Sequence, residues 1–382
     1  MGSARSLPRP AGLELGARNK AEWDQPDTRR QGLRELHRLH RYGLSFRAAR
    51  VRPLETRSDF RLNDLEALRW YVSHPYFTAL LVLKGERVLF EQYARDFAPT
   101  QVHSIQSITK TSVHLFAAHL VESGKLDLAR PVTAYLPELE AGYGGATLQD
   151  AMDMAVINDY SEDFYDPAAT VGLLEDAHGW RFAGAGAHVD IRTFLRLIGG
   201  GAGRAGDGRL HYKSANTDVV AWACERVAQR PLRELYLQLV ESLGAADTVY
   251  LSTDRHGTPF AGGGLHLTLR DLGRYGLLLA SGGQSALCAP VGSVAFRDAT
   301  RSGRQGGSPS LLGRGFYRNF LETDGLWLGH NGYGGQWLMV WPEDEIVVAC
   351  LSAISDEGGL DWRFIERLAA LGEAIAALLR QR

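Results

Sequence analysis

Long apolar runs are missing from this 382-residue chain. No stretch approaches the roughly 18 residues that a helix needs to cross a bilayer, so no membrane-spanning segment and no membrane partner are expected. Cysteine is scarce. Cys224, Cys288 and Cys350 are far apart and odd in number, which gives neither a disulfide framework nor a thiolate metal set and suits a reducing compartment. An excess of one charge is lacking as well: the formal net charge is −2 and basic residues form no single run, which argues against nucleic acid as a partner. Residues 1–19 are polar and mixed, without the apolar core of a signal peptide, so a cytoplasmic protein is the default expectation. The twelve histidines are scattered and H-E-x-x-H is absent, so no metal and no other cofactor is expected. G-x-S-x-G is absent, which disfavours an α/β-hydrolase. Gly201 to Gly206 match G-x-G-x-x-G, but no strand leads in and no helix opens there, so dinucleotide binding is rejected.

What is present is enough for a large core, with 45% hydrophobic residues in one big domain or two interleaved ones. Residues 1–60 are arginine-rich and broken by Pro8, Pro10, Pro26 and Pro53, and read as an irregular arm with one helix near 28–41. Leu80-Leu81-Val82-Leu83, Lys84-Gly85-Glu86 and Val88-Leu89-Phe90 read as a β-hairpin. A helix follows from near Ser107 and closes at Gly124, and Pro131 to Pro137 begins a further short helix. Residues 141–215 alternate helical pieces with loops, and another helix runs from about Thr217 to Ala228. Late strands follow at 326–330, 337–341 and 346–351, then an amphipathic helix near 361–379. Strands at both ends with helices between imply an α+β fold. One antiparallel sheet would be built from 61–110 and 235–382, with 111–234 inserted as a helical subdomain and 1–60 as the arm.

The chemistry gathers at Ser107-Ile108-Thr109-Lys110. Ser and Lys three apart share a helix face, and a lysine held neutral by burial can take a serine proton. Backbone N–H groups at the helix start can hold the oxyanion of an attacked acyl carbon. With 21 serines and five lysines, chance supplies such a pair in roughly a quarter of chains, so the motif needs company. Tyr212-Lys213-Ser214 supplies a tyrosine beside an ammonium that eases its ionisation, fit to relay the Ser107 proton to a leaving group. His330-Asn331-Gly332 ends a strand in glycines, where the main chain can offer an N–H and substrate can approach. His114, four residues from Lys110, reads as a packed helix histidine rather than a catalytic one.

In this order the three elements resemble the serine β-lactamase and penicillin-binding-protein superfamily, with its S-x-x-K, Y-x-N or S-x-N, and K-T-G signatures. Gly124-Lys125-Leu126-Asp127-Leu128 and Gly262-Gly263-Gly264-Leu265 look like its class C and esterase branch. Tyr212 to Asp218, Ser161 to Pro167, His330 to Gln336, and the arm with Trp23, Gln25, Pro26, Arg29 and Arg30 look most like the 6-aminohexanoate-dimer hydrolases.

The resemblance implies a β-lactamase-like fold and an acyl-enzyme hydrolase of small-molecule esters and linear amides, for which a homodimer is allowed. Ser107 would be the nucleophile, Lys110 the base and Tyr212 the proton relay, with backbone N–H groups of Ser107 and Tyr333 as the oxyanion hole. Ser214, His330, Gly332, Tyr160, Tyr165 and Asp176 would meet substrate. Ser214 stands where many relatives have Asn, and His330 where they have the lysine of K-T-G, which disfavours β-lactams. Phe164 falls where relatives carry a loop tyrosine, which favours esters over amides. The acidic residues Asp153, Asp159, Glu162, Asp163 and Asp166 read equally well as a solvated loop. A class C-like β-lactamase or D-amino-acid peptidase, and a non-catalytic acyl-binding sensor, are the alternatives.

Overall fold

The computed structural model describes residues 22–166, 168–181, 189–201, 203–204, 209–303, 307–310 and 314–381. Residues 1–19, part of the 201–206 glycine motif and Pro167 therefore lie outside the described residues or straddle their edge.

A nine-stranded sheet organises the chain. Its spatial order is Ser308–Pro309, Phe316–Arg318, Leu321–Thr323, Leu328–Gly332, Gln336–Trp341, Ile346–Ser352, Phe77–Lys84, Arg87–Tyr93 and Glu55–Thr56. Every neighbouring pair is antiparallel except the last, where Glu55 and Thr56 run parallel to Arg87 and Val88. The expected hairpin turns at Gly85, whose φ of +56° suits a residue without Cβ.

Side chains alternate between two cores. Leu80, Val82, Met339 and Val348 face the C-terminal helix Trp362–Arg380 through Phe364, Ile365, Leu368 and Ile375. Leu81, Leu83, Leu338 and Val347 face the opposite core, which includes Leu272 and Leu279 of the helix Leu269–Ala280. Because both faces are covered, the central strands read as unbroken apolar runs rather than alternating ones.

A second sheet, in the order Gly43–Phe46, Val249–Ser252, Leu265–Leu267 and His103–Ser104, does not announce itself in the sequence. Its strands are two to four residues long, too short for a period-two pattern to register. It matters because His103–Ser104 leads directly into the nucleophile. Ile105 N–H donates to Leu265 O (3.1 Å), and Leu265 N–H donates to Thr109 Oγ1 (3.1 Å). The turn bearing Ser107 is thereby tied to a sheet edge at both ends.

Three boundaries differ from expectation. Ser107 lies in a 3₁₀ turn, Gln106–Thr109, and the α-helix proper runs Lys110–Glu122. The Pro131 to Pro137 stretch makes two short 3₁₀ turns. The later helix begins at Ser214, three residues early, so Ser214 sits in its first turn.

Candidate active site

Two turns and a strand meet at Ser107. In a 3₁₀ turn residues i and i+3 eclipse, so Lys110 stacks directly under Ser107. Gln106 enters that turn at φ +50°, an uncommon conformation for a non-glycine residue, of the kind that collects at functional sites. The strand Leu328–Gly332 abuts it. A Cβ on Gly332 would stand 2.6 Å from Ile105 O and 3.0 Å from the Gln106 Cβ, so glycine there lets the strand pack against the turn.

Lys110 is fully buried. Its Nζ donates to Ser107 Oγ (2.9 Å), Ser214 Oγ (2.9 Å) and Gly262 O (2.6 Å). Burial pushes its pKa down to about 8, against the opposing pull of the Glu162 and Asp218 carboxylates. A pKa near 8 leaves about a tenth of Lys110 as free amine at pH 7, enough for a base that need be neutral only in the reacting fraction.

Tyr212 lines the same cavity as Ser107, and its ring lies 4.9 Å from Lys110 Nζ. Removal from water and the Glu162 charge raise its pKa well above the ordinary value, so it is a neutral phenol. The expected help from Lys213 is absent: that ammonium turns away to the carbonyls of Tyr160 and Asn158. Adjacent residues on an extended backbone point to opposite sides, which is why a sequence neighbour is the wrong partner.

Glu162 is the member that sequence reasoning did not single out. Its Oε1 accepts from Ser214 Oγ (2.6 Å) and its Oε2 from the Ser214 N–H, so the carboxylate holds the hydroxyl that Lys110 also contacts. The other loop acids divide. Asp153 is buried and accepts from Asn319 N–H, Asp159 accepts from Gly199 N–H, and Asp163 and Asp166 cap local turns.

A cavity of about 210 Å³ opens beside Ser107. Its walls include Trp23, Phe164, Trp180, Phe260, Tyr333 and Trp362, with Asp24, Glu162 and Glu175 as its acidic members and no Lys or Arg among the lining residues described. Asp24 is engaged by the Tyr333 hydroxyl (2.9 Å) and by Arg29. Glu175 is 5% exposed, with Arg181 Nε at 3.6 Å.

Several expected contacts lie elsewhere. His330 is fully buried behind Tyr212, with Nε2 3.1 Å from the Tyr317 hydroxyl and Nδ1 against Asn331 O, and burial pushes its pKa down to about 3. It is neutral and outside the cavity wall; its neighbours Asn331 and Tyr333 line it instead. Tyr160 is buried under the loop, its hydroxyl 3.2 Å from Glu162. Tyr165 is 65% exposed and lies over Gly358, while Phe164, one place earlier, faces Tyr333 at 5.5 Å between rings. Asp176 is off the wall as well. One residue is a rotation of about 100° on a helix, and it is Glu175 that the helix Val171–Ala177 turns inward. His114 is packed, with Nδ1 3.0 Å from Asn319 O.

Comparisons with known proteins agree with this geometry. Residues 78–370 match the model of the beta-lactamase family. A 6-aminohexanoate-dimer hydrolase from Paenarthrobacter ureafaciens is 34% identical over 320 residues, covering 80% of this chain and 79% of that protein. A solved Bacillus anthracis structure described as a candidate 6-aminohexanoate-dimer hydrolase superposes with a TM-score of 0.81 at 19% identity, over 98% of this chain and 99% of the other. A D-stereospecific amidohydrolase from Streptomyces gives a TM-score of 0.59 at 16% identity, over 80% and 97% of the two chains; at such identities these two likenesses speak for the fold alone. A sheet flanked by helices, a buried lysine under a serine, and a match over most of the length converge on one assignment: this chain belongs to the beta-lactamase family.

Proposed function

We propose that this protein is a serine hydrolase that forms an acyl-enzyme on Ser107 and cleaves small esters and linear amides of the 6-aminohexanoate-dimer type. The observation that carries this reading is Lys110 Nζ, buried and 2.9 Å from Ser107 Oγ, with its charged form disfavoured. Neutral Lys110 takes the Ser107 proton as Oγ adds to the acyl carbon. Backbone N–H groups of Ser107 and Tyr333 hold the oxyanion. Tyr212 passes a proton to the leaving oxygen or nitrogen as its bond to carbon breaks, and Lys110 resupplies it. Water then adds to the ester by the reverse route and frees the acid.

The cavity walls support the substrate class. Aromatic and aliphatic side chains suit a methylene chain, and the Glu175 carboxylate suits a terminal ammonium. A neutral His330, and no Lys or Arg among the described lining residues, leave the carboxylate of a β-lactam without a charged partner there. Phe164 brings no hydroxyl to an amide leaving group, which favours esters.

Intact mass measurement after a fluorophosphonate should show one adduct, lost in Ser107→Ala. Turnover should rank p-nitrophenyl acetate above a 6-aminohexanoate dimer and both above nitrocefin. Nitrocefin turnover equal to that of the ester would promote the β-lactamase or D-amino-acid peptidase alternative, and acylation without release the sensor alternative. An unmodified Ser107 would sink the reading.

A further inference from the structure

Asp218 is a buried carboxylate that the chemistry above does not use. It lies one turn beyond Ser214 on the helix Ser214–Ala228 and is 4% exposed. Its Oδ1 accepts the Ala261 N–H (2.8 Å), whereas its Oδ2 has no hydrogen-bond partner among the described residues. A buried carboxylate with one oxygen unmatched is costly, and such a group calls for a reason.

The reason lies across a single turn of backbone. The chain at Phe260–Gly264 presents two faces, and a charged side chain grips each. Asp218 holds the amide of Ala261, the residue before Gly262. The carbonyl of the same Gly262 receives Lys110 Nζ at 2.6 Å. Phe260 N–H donates to Ser252 O and Gly264 N–H to Phe260 O, so the turn is braced at its ends while Asp218 fixes its centre. The groups that bear electrostatically on Asp218 are few. Lys110 faces it from the nucleophile helix, and Glu162 from the acidic loop. Tyr160 of the same loop, Tyr143 of the helix Glu140–Tyr143 and Tyr236 of the helix Leu232–Leu243 are its other titratable neighbours, all held neutral. Arg192, paired with Glu225, closes the outer side of a small void that Asp218 also lines. Lys110 is the cation that shares a backbone turn with it.

We propose that Asp218 is a positioning residue for the general base: it clamps the Gly262 turn that holds Lys110 Nζ, and its charge governs how readily Lys110 gains and gives up a proton. Burial drives both groups toward neutrality, Lys110 down to about 8 and Asp218 up to about 8, while each one's charge pulls the other back. The reacting form is then neutral Lys110 beside ionised Asp218. As Lys110 takes the Ser107 proton it becomes an ammonium, and the Asp218 charge stabilises that ammonium. This rests on the acyl-enzyme reading of Ser107 and Lys110.

Asp218→Asn keeps the shape and an acceptor for Ala261 N–H but removes the charge. Without a neighbouring anion the Lys110 ammonium is less stable, so the acid limb of kcat/KM for p-nitrophenyl acetate should move to lower pH by about one unit. Plateau kcat should fall while KM changes little. Asp218→Glu, which keeps the charge, should restore the position of the limb. Asp218→Ser serves as a second neutral variant should Asn not fold, with the same shift expected. A limb unmoved in either neutral variant, with only Tm lowered, overturns the proposal and leaves Asp218 a structural residue. Fluorophosphonate labelling of Ser107 is measured alongside: absence of labelling in the unsubstituted protein condemns the acyl-enzyme reading itself, whereas normal labelling with an unmoved limb condemns the role of Asp218 alone.

Discussion

Among single residues, Glu162 ties the Ser107–Lys110 pair to the acidic loop through Ser214. Ser and Lys at this spacing were legible because the chemistry needs both within one turn. Glu162 was not, because its partner Ser214 is 52 residues away and four other acids share its neighbourhood. A carboxylate bonded to both the hydroxyl and the N–H of Ser214 fixes the one side chain that shares Lys110 with Ser107. Charge-assisted hydrogen bonds of this kind contribute about 1.5–3 kcal/mol. Glu162→Gln should therefore lower kcat/KM for p-nitrophenyl acetate by about tenfold to a hundredfold. Equivalent substitutions at Asp163 and Asp166, which cap only local turns, should leave the rate within about twofold. Equal effects at all three positions would mean that the loop acts through its summed charge. The same contrast explains the misplaced contacts: Asp176 and Tyr165 each sit beside the residue that reaches the cavity, and composition does not reveal rotational phase.

At the scale of elements, the arm helix Arg29–Leu39 acts on the site without touching Ser107. Arg29 is 1% exposed; it pairs with Asp24 (2.6 Å) and donates to the carbonyls of Ile354 (2.8 Å), Asp356 (2.6 Å) and Glu357 (3.3 Å). Asp24 in turn accepts from Tyr333, so one guanidinium joins the arm, the loop after the last strand and the cavity wall. The helix itself was readable from its spacing, but no local pattern shows a residue whose partners lie more than 300 positions away. Removing one member of a buried pair leaves the other charge unmatched and costs about 3–5 kcal/mol. Arg29→Met, similar in length and uncharged, should lower Tm by several degrees and raise KM more than it lowers kcat. On the proposed function, the wall of Trp23, Asp24 and Tyr333 would meet the substrate, while Lys110 stays where it is. A drop in kcat at constant KM would place the arm's influence on chemistry instead.

For the molecule as a whole, the large sheet was legible because apolar runs buried on both faces stand out in any sequence, and the small sheet was not, being assembled from fragments. Its burial carries a consequence of its own. The His266 ring, on the strand Leu265–Leu267, lies 6.1 Å from that of His37 on the arm helix and 5.7 Å from that of His40 just past its end, with fully buried His103 on the neighbouring strand. Burial holds these rings neutral: His40 falls to about 4, His103 to about 3, and His266 well below its ordinary value. His114 and His330 are likewise lowered, to about 4 and about 3. Each of these five would take up a proton on unfolding between about pH 6.5 and 4, so each favours the folded state less as pH falls through that window. Three buried carboxylates, Asp218, Asp271 and Glu322, are raised and act in the opposite sense. His37, His74 and His119 are lowered as well, so the histidines outnumber the raised carboxylates. Tm should therefore fall from pH 6.5 to 4, whereas between 8 and 6.5, where the raised carboxylates take up protons in the folded state and the histidines scarcely titrate, it should not fall. In His266→Gln one proton-binding group is gone, so the protein should be less stable at pH 8 yet lose less on acidification. Parallel Tm curves for the two proteins would show that His266 is not among the groups that set the acid limit of this fold.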